Sequence, residues 1–184
     1  MLRLWVASSF YQNDVLVGEQ VLKTVHASLV KYRTTIKMLL GSMHANSHKL
    51  PLTTLDKIAL CQLDKTMVGV WEAWQTYDFH KAVGHINRWA SGDLSAFYLE
   101  GVKDRLYCGD GGSVLYHVFH GFLQMLAPIT PLLVEEAWAH RPEWHKNDQY
   151  VFSIHSTPFC LGHQSLTEKL VQNCSVPFPP NPRS

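Results

Sequence analysis

From Glu19 to Leu40 the apolar side chains Leu22, Val25, Leu29, Tyr32, Ile36 and Leu40 recur at steps of three and four. At about 3.6 residues per turn these positions fall on one face, so the segment reads as one long amphipathic helix. A single stripe of this length cannot stay in water. It requires other elements to cover it, and that requirement constrains the rest of the chain. Gly41 is expected to stop the helix.

The rest supplies more helices. After a polar loop over 42–54, Thr54 reads as an N-cap, and Ala59, Leu63, Met67, Val70, Trp71 and Trp74 form a second stripe. Asp78 reads as the cap of a third helix burying Phe79, Ala82, Val83, Ile86 and Trp89. Ser91-Gly92-Asp93 is expected to interrupt it, with Asp93 capping a continuation through Leu94, Phe97 and Tyr98. Gly109 to Gly112 reads as a turn before Ser113, which caps a helix lined by Leu115, Val118, Phe119, Phe122, Leu123 and Leu126. Pro128 ends it, and Thr130-Pro131 restarts a short helix. Tyr150, Phe152 and Ile154 alternate as in a short extended segment. The tail 161–184 is proline-rich, without pattern, and expected to be mobile.

This succession predicts an all-α, up-and-down bundle of four or five helices spanning 15–160. With 184 residues and 46% hydrophobic composition the chain can bury a real core. No apolar run approaches the ~20 residues of a membrane span, and no signal or transit peptide is read at the start. No membrane partner is expected.

The search for chemistry is mostly negative. There is no GxGxxG after a strand, no GxxxxGK[ST], no HExxH and no GxSxG, so no catalytic residue is assigned. The four cysteines, 61, 108, 160 and 174, form no CxxC pair. Of the eleven histidines, His117 and His120 share a helix, but no carboxylate or cysteine joins them at ligand spacing, so no metal is expected. Glu135 and Glu136 suit the positive end of a helix better than acid–base work.

Charge carries more. The net charge is +1, yet residues 1–50 hold six basic against two acidic side chains. On the first long helix Lys23, His26, Arg33, Thr34 and Lys37 fall together beside the apolar stripe. Such a row can grip phosphates and touch base edges, or it can be a solvated basic face; pattern alone supports either.

A resemblance adds to this. Leu2 to Ser8 followed by Asp14-Val15 resembles the segment after the catalytic domain of class I aminoacyl-tRNA synthetases. Lys31 to Gly41 (KYRTTIKMLLG) resembles that family's Arg-Asn-Thr-x-Arg-Phe helix. Tyr77 to Lys81 (YDFHK), Asp93 to Leu99 (DLSAFYL) and Lys103 to Cys108 (KDRLYC) are similar to isoleucyl-tRNA synthetases in particular, as are Leu126 to Pro131 and Glu135 to Trp138. The matches run in order through most of residues 1–160, and the compressed loops and histidine content resemble a mitochondrial member.

The resemblance implies a helical anticodon-binding domain over 15–160 that holds tRNA(Ile). Residues 1–14 would be a junction to a catalytic domain that this sequence lacks, with Arg3 and Trp5 touching it. The HIGH and KMSKS motifs that handle ATP, magnesium and isoleucine in the parent enzyme are absent, as is the editing domain. The chain alone is therefore expected to be inactive, without a cofactor of its own, and monomeric. The implied setting is the mitochondrial matrix, or the cytoplasm for a non-mitochondrial member. The RNA-facing residues expected are Lys23, Arg33, Thr34 and Lys37: the wheel groups all four, and Arg33 to Lys37 align with the family's helix. Thr34 replaces the family asparagine and Lys37 its second arginine, which costs an amide's paired donor and acceptor and a bidentate fork. Lys103, Asp104 and Arg105 are read either as contacts to the tRNA corner or as members of an internal ion pair. The alternative is a helical protein-interaction module that binds no RNA.

Overall fold

A computed structural model of the chain describes residues 1–15, 17–43, 52–107 and 114–142. These lie within one compact unit, Met1–Val151. Among the described residues every regular element is helical: α1 (Leu2–Ser8), α2 (Glu19–Ser42), α3 (Thr54–Gln75), α4 (Phe79–Arg88), a π-helical segment (Trp89–Leu99), α5 (Glu100–Tyr107), α6 (Leu115–Leu126) and α7 (Pro131–Ala139). The fold is an all-α bundle. The extended segment around 150–154, the Ser113 cap and the tail 161–184 lie outside the described residues.

α2 forms as its stripe requires, burying Val25, Tyr32, Thr35, Ile36 and Leu39, and it runs through Gly41 to Ser42. Its stripe packs on α6, where the Tyr32 ring stands edge-on to Phe122 at 5.8 Å. Trp89 meets the same ring at 5.5 Å and is fully inside. Phe122 is thus a shared floor for α2, the π segment and α6. Tyr32 also donates its hydroxyl proton to Asn87 Oδ1 at 2.7 Å, so this buried phenol is satisfied.

Several local expectations need correction. α3 begins one residue earlier than Thr54 suggests, because Thr53 is its N-cap. The Thr53 side chain accepts from the Asp56 backbone N–H while the Asp56 carboxylate accepts from the Thr53 backbone N–H, a reciprocal capping box. Ser91-Gly92-Asp93 does not interrupt a helix. The backbone stays right-handed from Arg88 through Trp89 to Glu100, and the winding loosens to a π-helical stretch. The Ser95 hydroxyl donates to the Ala90 carbonyl five residues back, at 2.6 Å. α4, the π segment and α5 therefore make one rod, on which Phe97 is exposed.

Another correction is at the start. Residues 2–8, read only as a junction, form α1, which packs on α4 and α2 and buries Leu4. Between α3 and α4 the chain turns through Tyr77 at φ 59°. Asp78 N–H bonds to Ala73 O at 2.8 Å and Tyr77 N–H to Trp74 O at 3.1 Å, the double bond of a Schellman stop with a tyrosine where glycine is usual. Asp78 does not cap α4 through its side chain; it pairs instead with Lys81 at 2.6 Å.

Candidate nucleic-acid interface

The basic residues of α2 point away from its buried stripe. Lys23, Arg33, Thr34 and Lys37 are all exposed, so α2 does bring them out to solvent. Their electrostatic states differ. Lys23 pairs with Glu19 at 2.7 Å within the helix. Arg33 reaches across to α7 and pairs with Glu136. The Thr34 hydroxyl donates to the Val30 carbonyl at 2.9 Å, which leaves its lone pairs as acceptors. Lys37 makes no ion pair or hydrogen bond among the described residues, so its charge is the most available of the four. Lys31 flanks the same helix on its other side and donates to Ser91 Oγ at 2.5 Å.

The triplet at 103–105 divides. Arg105 turns inward and contacts Asp56 Oδ2 at 3.4 Å and Thr53 Oγ1 at 3.1 Å. Lys103 stays outside with Glu100 at 3.5 Å, and Asp104 is exposed. Asp56 is the hub: Oδ2 accepts from the Thr53 backbone at 2.9 Å and its hydroxyl at 2.7 Å, and Oδ1 accepts from Tyr98 Oη at 2.9 Å. Burial pushes the Asp56 pKa up, but the hydrogen bonds from Thr53 and Tyr98 and the Arg105 charge outweigh it and hold the carboxyl below its usual range. Tyr98 is pushed far up, by burial first and then by the Asp56 charge, so the phenol keeps its proton and donates. The network is structural. It ties the start of α3 to the π segment and α5. The Thr53-x-x-Asp56 spacing was the available sequence signal for the cap; the Tyr98 and Arg105 partners, 42 and 49 residues away, left none.

Between α2 and the rod formed by the π segment and α5 lies an open cleft of about 410 Å³ that sequence reading missed. Lys31 and Thr34 line it from α2, Ser95 from the π segment, and Glu100, Lys103 and Tyr107 from α5. Tyr107 is 81% exposed.

Arg3 is exposed on α1, whereas Trp5 is half-buried and its indole N–H lacks a partner among the described residues. Ser8 and Ser9 donate to the Trp5 carbonyl at 2.9 and 2.8 Å, closing the end of α1. His117 is pushed below the usual histidine pKa by burial. His120 sits 4.4 Å from the Tyr116 ring and 5.4 Å from Trp138, over which the Arg141 guanidinium stacks at 4.1 Å. The two histidines thus belong to an aromatic packing layer. Among the described residues no three His, Cys, Asp or Glu side chains are placed to share a metal ion, and no helix is long and apolar enough to cross a membrane.

Comparison with known proteins identifies the domain. Residues 56–173 match the family model for the anticodon-binding domain of tRNA ligase. The mitochondrial isoleucine–tRNA ligase of Schizosaccharomyces pombe is 37% identical over 92% of this chain, which covers 18% of that protein. The isoleucine–tRNA ligase of Carboxydothermus hydrogenoformans is 33% identical over 80% of the chain and 18% of its own length. The chloroplastic/mitochondrial isoleucine–tRNA ligase of Arabidopsis thaliana is 34% identical over 84% and 16%. The chain spans less than a fifth of the length of these relatives. An all-α bundle with a cationic helix face, matched along most of its length, belongs to the anticodon-binding domain family of tRNA ligases.

Proposed function

We propose that the chain is the part of an isoleucine–tRNA ligase that holds the anticodon arm of tRNA(Ile), and that it works in the mitochondrial matrix. The observation that carries the reading is the outward row of Lys23, Arg33, Thr34 and Lys37 on α2, in a domain of the anticodon-binding family. Isoleucine–tRNA ligases from bacteria and organelles among its relatives support the substrate, and the fission-yeast and Arabidopsis proteins support the compartment.

The work of such a domain is positional. Phosphate contacts fix register and orientation, while unstacked loop bases offer edges that side chains can read. In the parent enzyme a separate catalytic domain would bind ATP with magnesium, form the isoleucyl-adenylate and receive the acceptor end of the tRNA. Arg3 and Trp5 on α1 are proposed to face that domain. Arg33, drawn to Glu136, and Lys23, drawn to Glu19, present partly neutralised charge. Lys37 therefore supplies the strongest single attraction for phosphate.

Lys37→Ala tests the row. It should weaken tRNA binding and reduce the salt slope by roughly one contact if Lys37 meets phosphate, or by about 1–3 kcal/mol if it meets a base edge. Folding stability should stay within about 0.5 kcal/mol, because the side chain is exposed. Unchanged affinity and unchanged salt dependence in a folded variant would leave the row a solvated face and favour a protein-interaction module.

A further inference from the structure

We propose that the cleft between α2 and α5 takes one unpaired nucleotide of the bound RNA, with its base stacked on Tyr107 and its phosphates held by Lys31 and Lys103. This rests on the RNA-binding reading above but names a separate place, which shares only Thr34 with the α2 row.

Four observations lead there. The cleft, about 410 Å³, lies in the size range of small-ligand sites. Its lining includes Met38, an exposed apolar side chain that a flat base can cover, beside the nearly buried Leu99. Tyr107 projects from the end of α5 almost wholly into solvent, so its ring face is open to a stacking partner. The rim is cationic on both sides, with Lys31 on α2 and Lys103 on α5. Among the described residues its one carboxylate, Glu100, is 3.5 Å from Lys103, and the two lysines outnumber it.

The polar groups between those walls suit a base better than a peptide. Thr34 has given its hydroxyl proton to Val30 O at 2.9 Å, and Ser95 has given its proton to Ala90 O at 2.6 Å. Both oxygens remain as acceptors. They match an exocyclic amino group, while Lys31 and Lys103 supply donors for phosphate oxygens. A base can enter only from single-stranded RNA, because in a duplex its faces are stacked and its edges paired. The occupant is therefore a loop nucleotide, and the π winding, which carries Ser95 and Leu99, forms one wall of its site.

The experiment titrates the full chain with a tRNA(Ile) transcript and with a fully paired RNA duplex of equal length, using wild type, Tyr107→Ala, Tyr107→Phe and Lys31→Ala. The expected result is a loss of about 5–150-fold in tRNA affinity for Tyr107→Ala, the cost of one lost base stack. Its salt dependence should be unchanged and Tyr107→Phe should be close to wild type. Lys31→Ala should instead flatten the salt dependence by about one contact. Duplex binding should be insensitive to Tyr107→Ala. If wild type binds tRNA and Tyr107→Ala binds it equally well, the nucleotide site is refuted while the α2 row stands. If Tyr107→Ala weakens tRNA and duplex alike, the cleft is not selecting an unpaired base, and the proposal also fails. If wild type binds neither RNA, the RNA-binding reading itself falls.

Discussion

Replacing Asp56 by alanine tests the internal network that holds α5, and with it the cleft wall, against α3. Asp56 is the one charged residue among the buried described residues, 1% exposed. The substitution removes an N-terminal capping box, worth about 1 kcal/mol. It also strands the Tyr98 hydroxyl, a buried donor whose acceptor at 2.9 Å disappears, at about 1–3 kcal/mol. Arg105 is about one-third exposed, so its guanidinium can turn to water and adds little. The total is about 2–4 kcal/mol, which in a domain of this size lowers Tm by on the order of 10 °C. Asp56→Asn keeps an acceptor for Tyr98 but places an amide N–H among donors, and should lose about half as much. Urea unfolding followed by far-ultraviolet circular dichroism measures both. The pH dependence follows from the lowered folded pKa. The carboxylate's contribution is complete above its unfolded value, about 3.9, and is lost as pH falls through the lower folded value. The gap between wild type and Asp56→Ala should therefore narrow below about pH 4. A loss under about 1 kcal/mol at pH 7, or a gap that widens in acid, would refute the assignment.

Two further outcomes are expected. Tyr77→Gly should raise stability by about 0.5–1 kcal/mol in the same unfolding assay, because it relieves a left-handed tyrosine. The gain is less than the full strain, since the edge contact to Phe79 at 6.2 Å is lost; destabilisation would mean that the ring contact dominates. Glu136→Gln should tighten tRNA binding and steepen its salt dependence by about one contact, because it releases Arg33 and removes a negative charge. Stability should move by less than about 1 kcal/mol, as the pair is exposed.

The long stripes were legible because periodicity is a local property. Tyr32, Ile36, Trp89, Phe119 and Phe122 could be assigned to the core one helix at a time. Thr130-Pro131 likewise marks its own helix start. What was not legible depends on partners distant in sequence. α1 carries only Leu4 into the interior, too little pattern in seven residues to read as a helix. The π segment looked like a break because serine, glycine and aspartate usually punctuate helices. Here Ser95 bonds back within the rod, and Asp93 accepts from Gln62 at 3.5 Å instead of capping a helix. The face of α2 was visible on a wheel, but the wheel could not show that Glu136 claims Arg33 or that Lys31 faces Lys103 and Tyr107 across a cleft. Such features come from packing, and packing turned a uniform basic row into one available lysine, two paired cations and a separate pocket.

The most direct test of the account is a filter-binding titration of the chain against tRNA(Ile) transcript across about 50–200 mM salt. Electrostatically dominated binding through Lys23, Lys31, Arg33 and Lys37 predicts a Kd of about 10⁻⁴–10⁻⁶ M at physiological salt and a slope of log K against log salt near roughly −3. No binding at the top of that range, or an affinity indifferent to salt, would contradict it.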